Sequence, residues 1–379
     1  MTTTSPDTGT QLRTLLTEQA SLEVFLQEAA VPTPGPDQVL IRVEAAPINP
    51  SDLALLFTGA DVTAATNSGT PERPMLSVPV NPAAMRALAA RVGKPLAPGN
   101  EGAGTVIAAG SSPAARALLG RTVAVAPGGM YAQYRLVDAA ECLVLPPDVT
   151  PQQGASAFVN PLTALGMIET MRRDGHSALV HTAAASNLGQ MLHRVCAEES
   201  VPLVNIVRKP EQEQILRALG ARYVCNSTSP TFTRDLTQAL ADTSATLAFD
   251  AIGGGDLAGQ ILSAMEAAAG NLGEYSPYGS AVHKQVYIYG GLDRGPTVLR
   301  RNFGMSWSVG GWLLGPFLQS IGPARLQELQ ERVAAGLKTT FSSGYTQEIS
   351  LAEALHPQTY LAYTRNATRE KYLITPHKP

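Results

Sequence analysis

A short turn between a predicted strand and a predicted helix is the first segment whose residues could bind a ligand. The stretch HTAAASNLGQ, residues 181–190, ends the apolar run ALVH and begins a segment with apolar residues at helical spacing. In such a setting the backbone N–H groups of the turn and the helix N-terminus bind phosphate groups. Because Gly189 is the only glycine in the stretch, the sequence alone fits a pyrophosphate-binding turn and an ordinary strand-to-helix junction about equally well.

The turn residues are small or tolerate left-handed backbone, so the chain can approach a phosphate closely. Backbone donors do not need a glycine side chain. We therefore predict that the cofactor contacts in this turn are Ala184, Ala185, Ser186, Asn187 and Leu188. Ser186 and Asn187 are expected to add side-chain contacts.

Two basic residues, Arg208 and Lys209, follow the next predicted strand, LVNIV. NAD-binding units usually place a carboxylate there to accept hydrogen bonds from the ribose hydroxyls, whereas NADP-binding units replace it with cations. A guanidinium pairs bidentately with a phosphate. The pattern therefore predicts NADPH in preference to NADH, and the alternative is a pair of surface charges at a strand end.

Alternating strands and helices position these residues. From Thr150, a capping box to Gln153 begins a long helix that Pro161 must kink or split. Apolar strands and amphipathic helices then alternate to about residue 300. Repeated β-α units predict an α/β fold with a doubly wound parallel sheet over residues 151–300.

The residues before this region differ, because short apolar runs separated by proline and glycine predict a mainly β domain. A Pro- and Ala-rich segment, about 61–98, interrupts it, and we interpret this segment as an inserted loop with a helix capped by Asn81 and ended by Gly93. Residues 301–379 are expected to return to the β domain, which then comprises 1–150 and 301–379. The insertion and the extended 270–284 connection are interpreted as elements that tune specificity, the insertion by covering a site in the cleft between the domains, and plain surface elaboration is the alternative for both.

Composition excludes several classes of function. The net charge of −3 gives no field that attracts nucleic acid or an anionic membrane, and no apolar run is long enough to span a bilayer. The three cysteines and six histidines lack metal-ligand spacing. We expect a cytoplasmic protein with a small-molecule substrate, without a metal, a signal peptide, a nucleic-acid partner or a membrane partner.

Four motifs occur in a familiar order: AAPINPSD, PGNEGAGTVIAAG, FVNPLTALGMIE and AAASNLGQ. Over most of its length the chain thereby resembles the zinc-independent medium-chain dehydrogenase/reductases, which include quinone oxidoreductases and enoyl-thioester reductases. It is most similar to the enoyl-thioester reductase branch in the turn, in the VNPLTA helix and in the arginine after the second strand. The resemblance implies a GroES-like substrate domain, a Rossmann domain, bound NADPH and a homodimer.

The resemblance also implies site residues. Asn160 and Thr163, in VNPLTA, correspond to positions beside the nicotinamide, and Thr163 is also a candidate hydrogen-bond donor to the substrate. A threonine in a helix can instead bond its own backbone, which is the alternative for Thr163. Further cofactor contacts are expected where the segment QVYIYGG ends, at Tyr289, Gly290 and Gly291.

Two further candidates lie in the β domain. Asn49 would be a polar group in the substrate cleft, or simply a turn residue before Pro50. Tyr131 would donate a proton or line the pocket, and a buried strand aromatic is an equally good interpretation.

Zinc enzymes of the same superfamily carry a cysteine and a histidine at the positions of Asn49 and Asn100. Without a Lewis acid, an alkoxide loses its usual stabilisation, which disfavours an alcohol dehydrogenase. Conjugate hydride addition to an enone or a quinone is easier, because the negative charge spreads onto an oxygen that hydrogen-bond donors can hold.

One departure from the resemblance concerns the proton donor. Enoyl-thioester reductases carry a tyrosine shortly after the PINP motif, but LALLFTGADVTAAT contains none, and Asp61 is the nearest residue by alignment. Tyr131, Tyr275 or water would then supply the proton, or the substrate needs less precise protonation. We therefore expect an enone or quinone reductase ahead of an enoyl-thioester reductase for acyl-CoA or acyl-carrier-protein substrates. An NADPH-binding sensor with little turnover is the alternative from another class.

Overall fold

The computed structural model describes residues 6–270, 276–368 and 370–379. The chain divides into unit 1, Met1–Val159 with Gln330–Pro379, and unit 2, Asn160–Leu329.

Strands occur in both units. They are β1 Thr8–Leu16, β2 Ser21–Ala30, β3 Gln38–Pro47, β4 Thr66–Gly69, β5 Pro74–Pro79, β6 Gly102–Ala109, β7 Thr122–Val125, β8 Tyr134–Asp138, β9 Leu143–Val144, β10 Leu179–His181, β11 Leu203–Val207, β12 Tyr223–Asn226, β13 Leu247–Asp250, β14 Gly253–Gly255, β15 Lys284–Ile288, β16 Asp293–Thr297, β17 Trp307–Gly311, β18 Gln347–Ile349 and β19 Tyr372–Ile374.

The helices are concentrated in unit 2. They are α1 Pro50–Phe57, α2 Pro82–Ala87, α3 Pro113–Ala117, α4 Pro151–Gly154, α5 Val159–Arg173, α6 Asn187–Glu198, α7 Pro210–Ala218, α8 Phe232–Thr243, α9 Leu257–Gly270, α10 Leu314–Gly336 and α11 Pro357–Tyr363. The backbone of α10 breaks at Gly322, whose φ is 74°, just before Pro323.

Unit 1 is mainly β, as the sequence predicts. One sheet has the order β1-β2-β5-β4, and a seven-stranded sheet has the order β18-β19-β3-β6-β7-β9, with β8 also paired to β3. Side chains alternate across a strand, so Leu12 and Leu16 of β1 and Leu22 and Val24 of β2 all point into one apolar core.

The inserted segment differs from the expected loop. Its residues form β4 and β5, and β5 pairs antiparallel with β2, so the segment completes a sheet. Neither strand has a recognisable alternating pattern, because TNSG is polar throughout and PMLSVP begins and ends with proline. The expected cap is present, since Asn81 Oδ1 accepts the Ala84 N–H over 2.9 Å at the start of α2.

Unit 2 contains a six-stranded parallel sheet with the order β12-β11-β10-β13-β15-β17. From β10 the chain first builds outward through β11 and β12, and then continues on the other side from β13. This reversal confirms the doubly wound fold, and such sheets bind ligands beside the carboxyl ends of the strands at the reversal point, here between β10 and β13.

One boundary of unit 2 differs from the sequence prediction, whereas the split expected in the long helix is present. The unit extends to Leu329 because β17 adds to its sheet, and this strand, WSVGG, carries too few apolar residues to be recognised beforehand. The predicted long helix is split before Pro161: α4 ends at Gly154 and α5 begins at Val159, so the proline lies in the first turn, where it is tolerated.

Part of the predicted 270–284 connection, residues 271–275 with the candidate Tyr275, lies outside the described residues. Within the described ranges, no helix combines the length and the apolar character needed to cross a bilayer.

Candidate functional site

The turn between β10 and α6 has the geometry of an anion site. Ser186 caps α6, since its Oγ accepts the Gly189 N–H over 3.1 Å. Ala183 adopts left-handed backbone with φ of 50°, at a place where glycine would be unstrained. The cap at Ser186 and the strained backbone at Ala183 could not be assigned from the sequence, where the turn was recognised only by its small residues.

Two backbone N–H groups of this turn, those of Ala185 and Leu188, have no hydrogen-bond partner among the described residues. They lie at the positive end of the α6 macrodipole. A Cβ added to Gly189 would lie 2.2 Å from the Ala184 carbonyl oxygen, so only glycine allows the helix to approach the turn this closely. The turn therefore fits a pyrophosphate group.

Arg208 and Lys209 follow β11, and Lys209 is the N-cap residue of α7. Both are exposed. No described residue forms an ion pair or a hydrogen bond with the guanidinium of Arg208. An unpaired cation at the end of the strand next to the anion turn fits a second phosphate group.

The carboxyl end of β13 carries a residue that the sequence analysis did not single out. Asp250 is buried, and its carboxylate accepts hydrogen bonds from the Thr182 hydroxyl over 2.7 Å and from the Ile252 N–H over 2.9 Å. Thr182 comes directly after β10, so this contact fixes the ends of the two strands that frame the crevice. The sequence signal that could have identified Asp250 is its position directly after the apolar run LAF.

Tyr289 and Gly290 directly follow β15. The Tyr289 hydroxyl lies 2.7 Å from His181 Nε2. Burial lowers the pKa of His181 to about 3 and raises the pKa of Tyr289, so the imidazole is neutral and the phenol protonated. A Cβ on Gly290 would lie 2.6 Å from the Ala251 carbonyl oxygen, whereas Gly291 faces open space. Glycine at 290 thus allows a close backbone approach.

Asn160 and Thr163 lie three positions apart in α5, on one face of the helix. Their exposed fractions are 9% and 6%, so both side chains are buried within the isolated chain. Their predicted position beside a nicotinamide remains a prediction.

In unit 1, Asn49 is the N-cap residue of α1 and is 2% exposed. Its Nδ2 donates to Glu101 Oε1 over 2.8 Å. The other carboxylate oxygen of Glu101 accepts the N–H groups of Phe158 and Val159, each over 2.9 Å, at the start of α5. Glu101, which the sequence analysis did not select, therefore orients the amide of Asn49 and also binds the first residues of the helix that continues to Asn160.

Asp52 joins the two segments that carry Asn49 and Asn100. Its carboxylate accepts the Asn49 N–H over 2.9 Å and the Asn100 N–H over 2.8 Å. Burial raises the pKa of Asp52 to about 7, although these hydrogen bonds and the nearby hydroxyl of Tyr131 act in the opposite direction. The carboxyl group is therefore about half protonated near neutral pH.

A partly buried cation, Lys371, lies near this acidic pair. Lys371 Nζ donates to Ser156 Oγ over 2.9 Å. Burial lowers the pKa of Lys371 to about 8, while Glu101 and Asp52 favour its charged form. The pKa of Glu101 is raised by burial, and Lys371 limits that rise.

In unit 1, neither Tyr131 nor Asp61 has the environment expected of a proton donor that faces a substrate. Tyr131 is 1% exposed, and its hydroxyl donates to the Pro47 carbonyl over 3.0 Å, as the buried-aromatic interpretation requires. Asp61 is exposed, and hydrogen bonds from Thr63 lower its pKa, so it is ionised at neutral pH. No cluster of three His, Cys, Asp or Glu side chains able to hold a metal occurs in the described part of the chain.

Comparison with known proteins places these features in context. The family model of the alcohol dehydrogenase GroES-like domain matches residues 35–147, within unit 1. The solved structure of a protein assigned as an NADPH:quinone reductase from Mesorhizobium loti is 27% identical, with a TM-score of 0.74 over 99% of this chain and 100% of its own. The predicted fold class, a GroES-like domain with a Rossmann-type domain, is thereby confirmed.

Two curated relatives are similar over shorter stretches. The synaptic vesicle membrane protein VAT-1 homolog of Rattus norvegicus is 25% identical over 233 residues, 61% of this chain and 50% of the relative. The mitochondrial enoyl-[acyl-carrier-protein] reductase of Bos taurus is 28% identical over 160 residues, 40% of this chain and 43% of the relative. The chain thus spans about half the length of the curated relatives it matches.

Proposed function

We propose that this chain, which has the two-domain fold of the medium-chain dehydrogenase/reductase superfamily, is an NADPH-dependent reductase of activated C=C bonds or quinones. The observation that carries the proposal is the unpaired guanidinium of Arg208 beside an anion-binding turn. The similarity to an NADPH:quinone reductase and to an enoyl-[acyl-carrier-protein] reductase supports the same class of chemistry.

Different residues of unit 2 would bind different parts of the cofactor. The N–H groups of Ala185 and Leu188 and the N-terminus of α6 would hold the pyrophosphate, and Arg208 and Lys209 would hold the 2′-phosphate. Residues that would line the nicotinamide are Asn160, Thr163, Tyr289, Gly290 and Gly291. When bound, NADPH supplies a hydride to the electrophilic carbon of the substrate.

The protein must then stabilise negative charge that spreads onto the substrate oxygen. We assign this role to the hydroxyl of Thr163, and we assign to Asn49 the orientation of the substrate, with its amide fixed by Glu101. Among the described candidates, Tyr131 donates to Pro47 inside its unit and Asp61 is ionised. Water is therefore the proposed proton source, which favours a quinone or an activated enone over an enoyl thioester.

A homodimer is also proposed. β17 ends the strand order of the parallel sheet, so one of its edges has unpaired backbone groups that another chain can pair with. Met305 and Leu313, on either side of this strand, are 72% and 67% exposed. Multi-angle light scattering on the purified chain measures the mass directly: about twice the 39.8 kDa of one chain supports the proposal, and the monomer mass refutes it.

The central experiment follows the oxidation of NADPH and NADH by absorbance, with quinones, enones, enoyl thioesters and alcohols as substrates. We expect turnover with quinones or enones, faster with NADPH than with NADH. Turnover confined to enoyl thioesters would favour the other reductase class. Tight NADPH binding without turnover on any substrate would instead support the second candidate function, an NADPH-binding sensor. The segment LALLFTGADVTAAT motivates this test because it contains no tyrosine.

A further inference from the structure

The backbone of Arg208 is held on both sides by side chains. Gln212 Oε1 accepts the Arg208 N–H over 2.9 Å and also the Lys209 N–H over 3.1 Å. The hydroxyl of Thr228 donates to the Arg208 carbonyl over 3.1 Å. Gln212 lies in α7 and Thr228 follows β12, so two separate elements fix the position from which the guanidinium extends.

A carboxylate lies close to these cations in the chain but does not pair with Arg208. Glu213 is in the first turn of α7, and its Oε1 accepts the Asn226 Nδ2–H over 2.7 Å. In the described structure Arg208 and Glu213 form no ion pair. Asn226 Oδ1 also accepts the N–H of Thr228 over 3.0 Å. Asn226 therefore both orients Thr228 and engages Glu213.

We propose that Gln212 and Asn226 are positioning residues that set the preference for NADPH over NADH by keeping Arg208 fixed and unpaired. Fixing the backbone lowers the conformational entropy that Arg208 loses when it binds a phosphate. Engaging Glu213 keeps its negative charge from neutralising Arg208 and from repelling the 2′-phosphate. NADH has a hydroxyl in place of that phosphate, so its binding does not depend on either effect.

This inference rests on the proposed function, since it assumes that Arg208 binds the 2′-phosphate. The dissociation constants of NADPH and NADH are to be measured by nicotinamide fluorescence for the wild-type chain and for Gln212→Ala and Asn226→Ala. We expect the constant for NADPH to rise about fivefold in each variant, while that for NADH stays within about twofold. A merely structural role would weaken both dinucleotides equally.

Two further variants sharpen the test. Asn226→Ser keeps an uncharged acceptor for Thr228 but is too short to donate to Glu213, so it should lower the NADPH preference even if Asn226→Ala folds poorly. Gln238→Ala removes an exposed glutamine of α8 whose side chain bonds Asp242 alone among the described residues, and it should leave both constants unchanged. Melting temperatures of all variants check that they are folded.

Arg208→Ala separates the two proposals. If it abolishes the NADPH preference while Gln212→Ala and both Asn226 variants retain it, the positioning role is overturned and the proposed cofactor site stands. If the wild-type chain shows no preference, or if Arg208→Ala does not change it, the assignment of the 2′-phosphate fails, and the positioning role fails with it.

Discussion

The amide of Asn49 donates to the carboxylate of Glu101 over 2.8 Å, across 52 positions of sequence. A carboxylate accepts but does not donate, so the contact fixes which way the amide of Asn49 points. Its Oδ1 is buried and has no partner among the described residues. Asn49 therefore has a fixed orientation before any ligand binds, together with a free acceptor.

A double-mutant cycle tests this contact. We expect Asn49→Ala and Glu101→Ala each to lower the free energy of unfolding by about 1–3 kcal/mol, since each leaves a buried polar group without its partner. The double variant should lose about 1 kcal/mol less than the sum, because the two changes remove one shared bond. Denaturant titrations give these energies.

Asn100→Ala is the matched control for that cycle, because the amide of Asn100 bonds Ser51 and not Glu101. Its effect should add to that of Glu101→Ala. If the energies of the single variants add equally well in the Asn49 cycle and in the Asn100 cycle, a specific bond between Asn49 and Glu101 is contradicted.

The glycine of the anion turn gives a second prediction. A Cβ at Gly189 would meet the Ala184 carbonyl oxygen at 2.2 Å, so Gly189→Ala must displace the turn from the helix. We expect NADPH and NADH to lose affinity by a similar factor of about ten or more, since both carry the pyrophosphate. Gly315→Ala in α10, where the Cβ meets open space, should leave both affinities unchanged. Selective loss of NADPH alone would show that the turn holds a different group.

Thr163 is the third test. If its hydroxyl holds the developing negative charge, Thr163→Val should lower kcat by about tenfold or more and leave the dissociation constant of NADPH within about twofold. Thr163→Ser keeps the hydroxyl and should recover most of the rate. Steady-state kinetics with fluorescence titrations separate the two quantities, and equal rates in wild type and Thr163→Val would remove Thr163 from the mechanism.

The fourth prediction concerns pH. Burial raises the pKa of Asp52 from 3.8 to about 7, so between these values the folded chain holds a proton that the unfolded chain has released. The contribution of Asp52 to stability is therefore greatest at low pH, falls as pH rises from about 4, and levels off above about 7. The melting temperature should accordingly be higher at pH 5 than at pH 8.

Asp52→Asn removes this titration but leaves the nearby Glu101 and Lys371 in place. Asparagine offers one acceptor oxygen for the two N–H groups, so we expect the variant to be less stable at pH 5. The loss of melting temperature between pH 5 and pH 8 should be smaller in the variant than in the wild-type chain, by a few degrees. An identical pH profile for the two proteins would contradict the raised pKa.

The parallel sheet could be predicted because each of its central strands is a continuous apolar run followed by a helix with one apolar face. Leu188, Met191, Leu192 and Val195 show that face in α6, and all except Leu188 are buried. β17 could not be predicted, because a strand with two glycines is recognised only through its pairing with β15.

The candidate site shows the same division. Arg208 was predictable because its position is set locally, by the end of a strand. Glu101 was not, since its importance comes from Asn49 and Phe158, which lie 52 and 57 positions away. The left-handed backbone at Ala183 was also hidden, because alanine gives no sequence signal for it.

The pairing of β5 with β2 limits how this chain can be shortened or redesigned. Leu76 and Val78 of β5 are fully buried beside Val24 and Leu22, their partners in the register. Deleting residues 61–98 would remove Leu76 and Val78, uncover Leu22 and Val24, and leave one edge of β2 with a row of unmet donors and acceptors. Such edges recruit strands from other molecules, so a truncated chain would aggregate before it gained a wider substrate entrance.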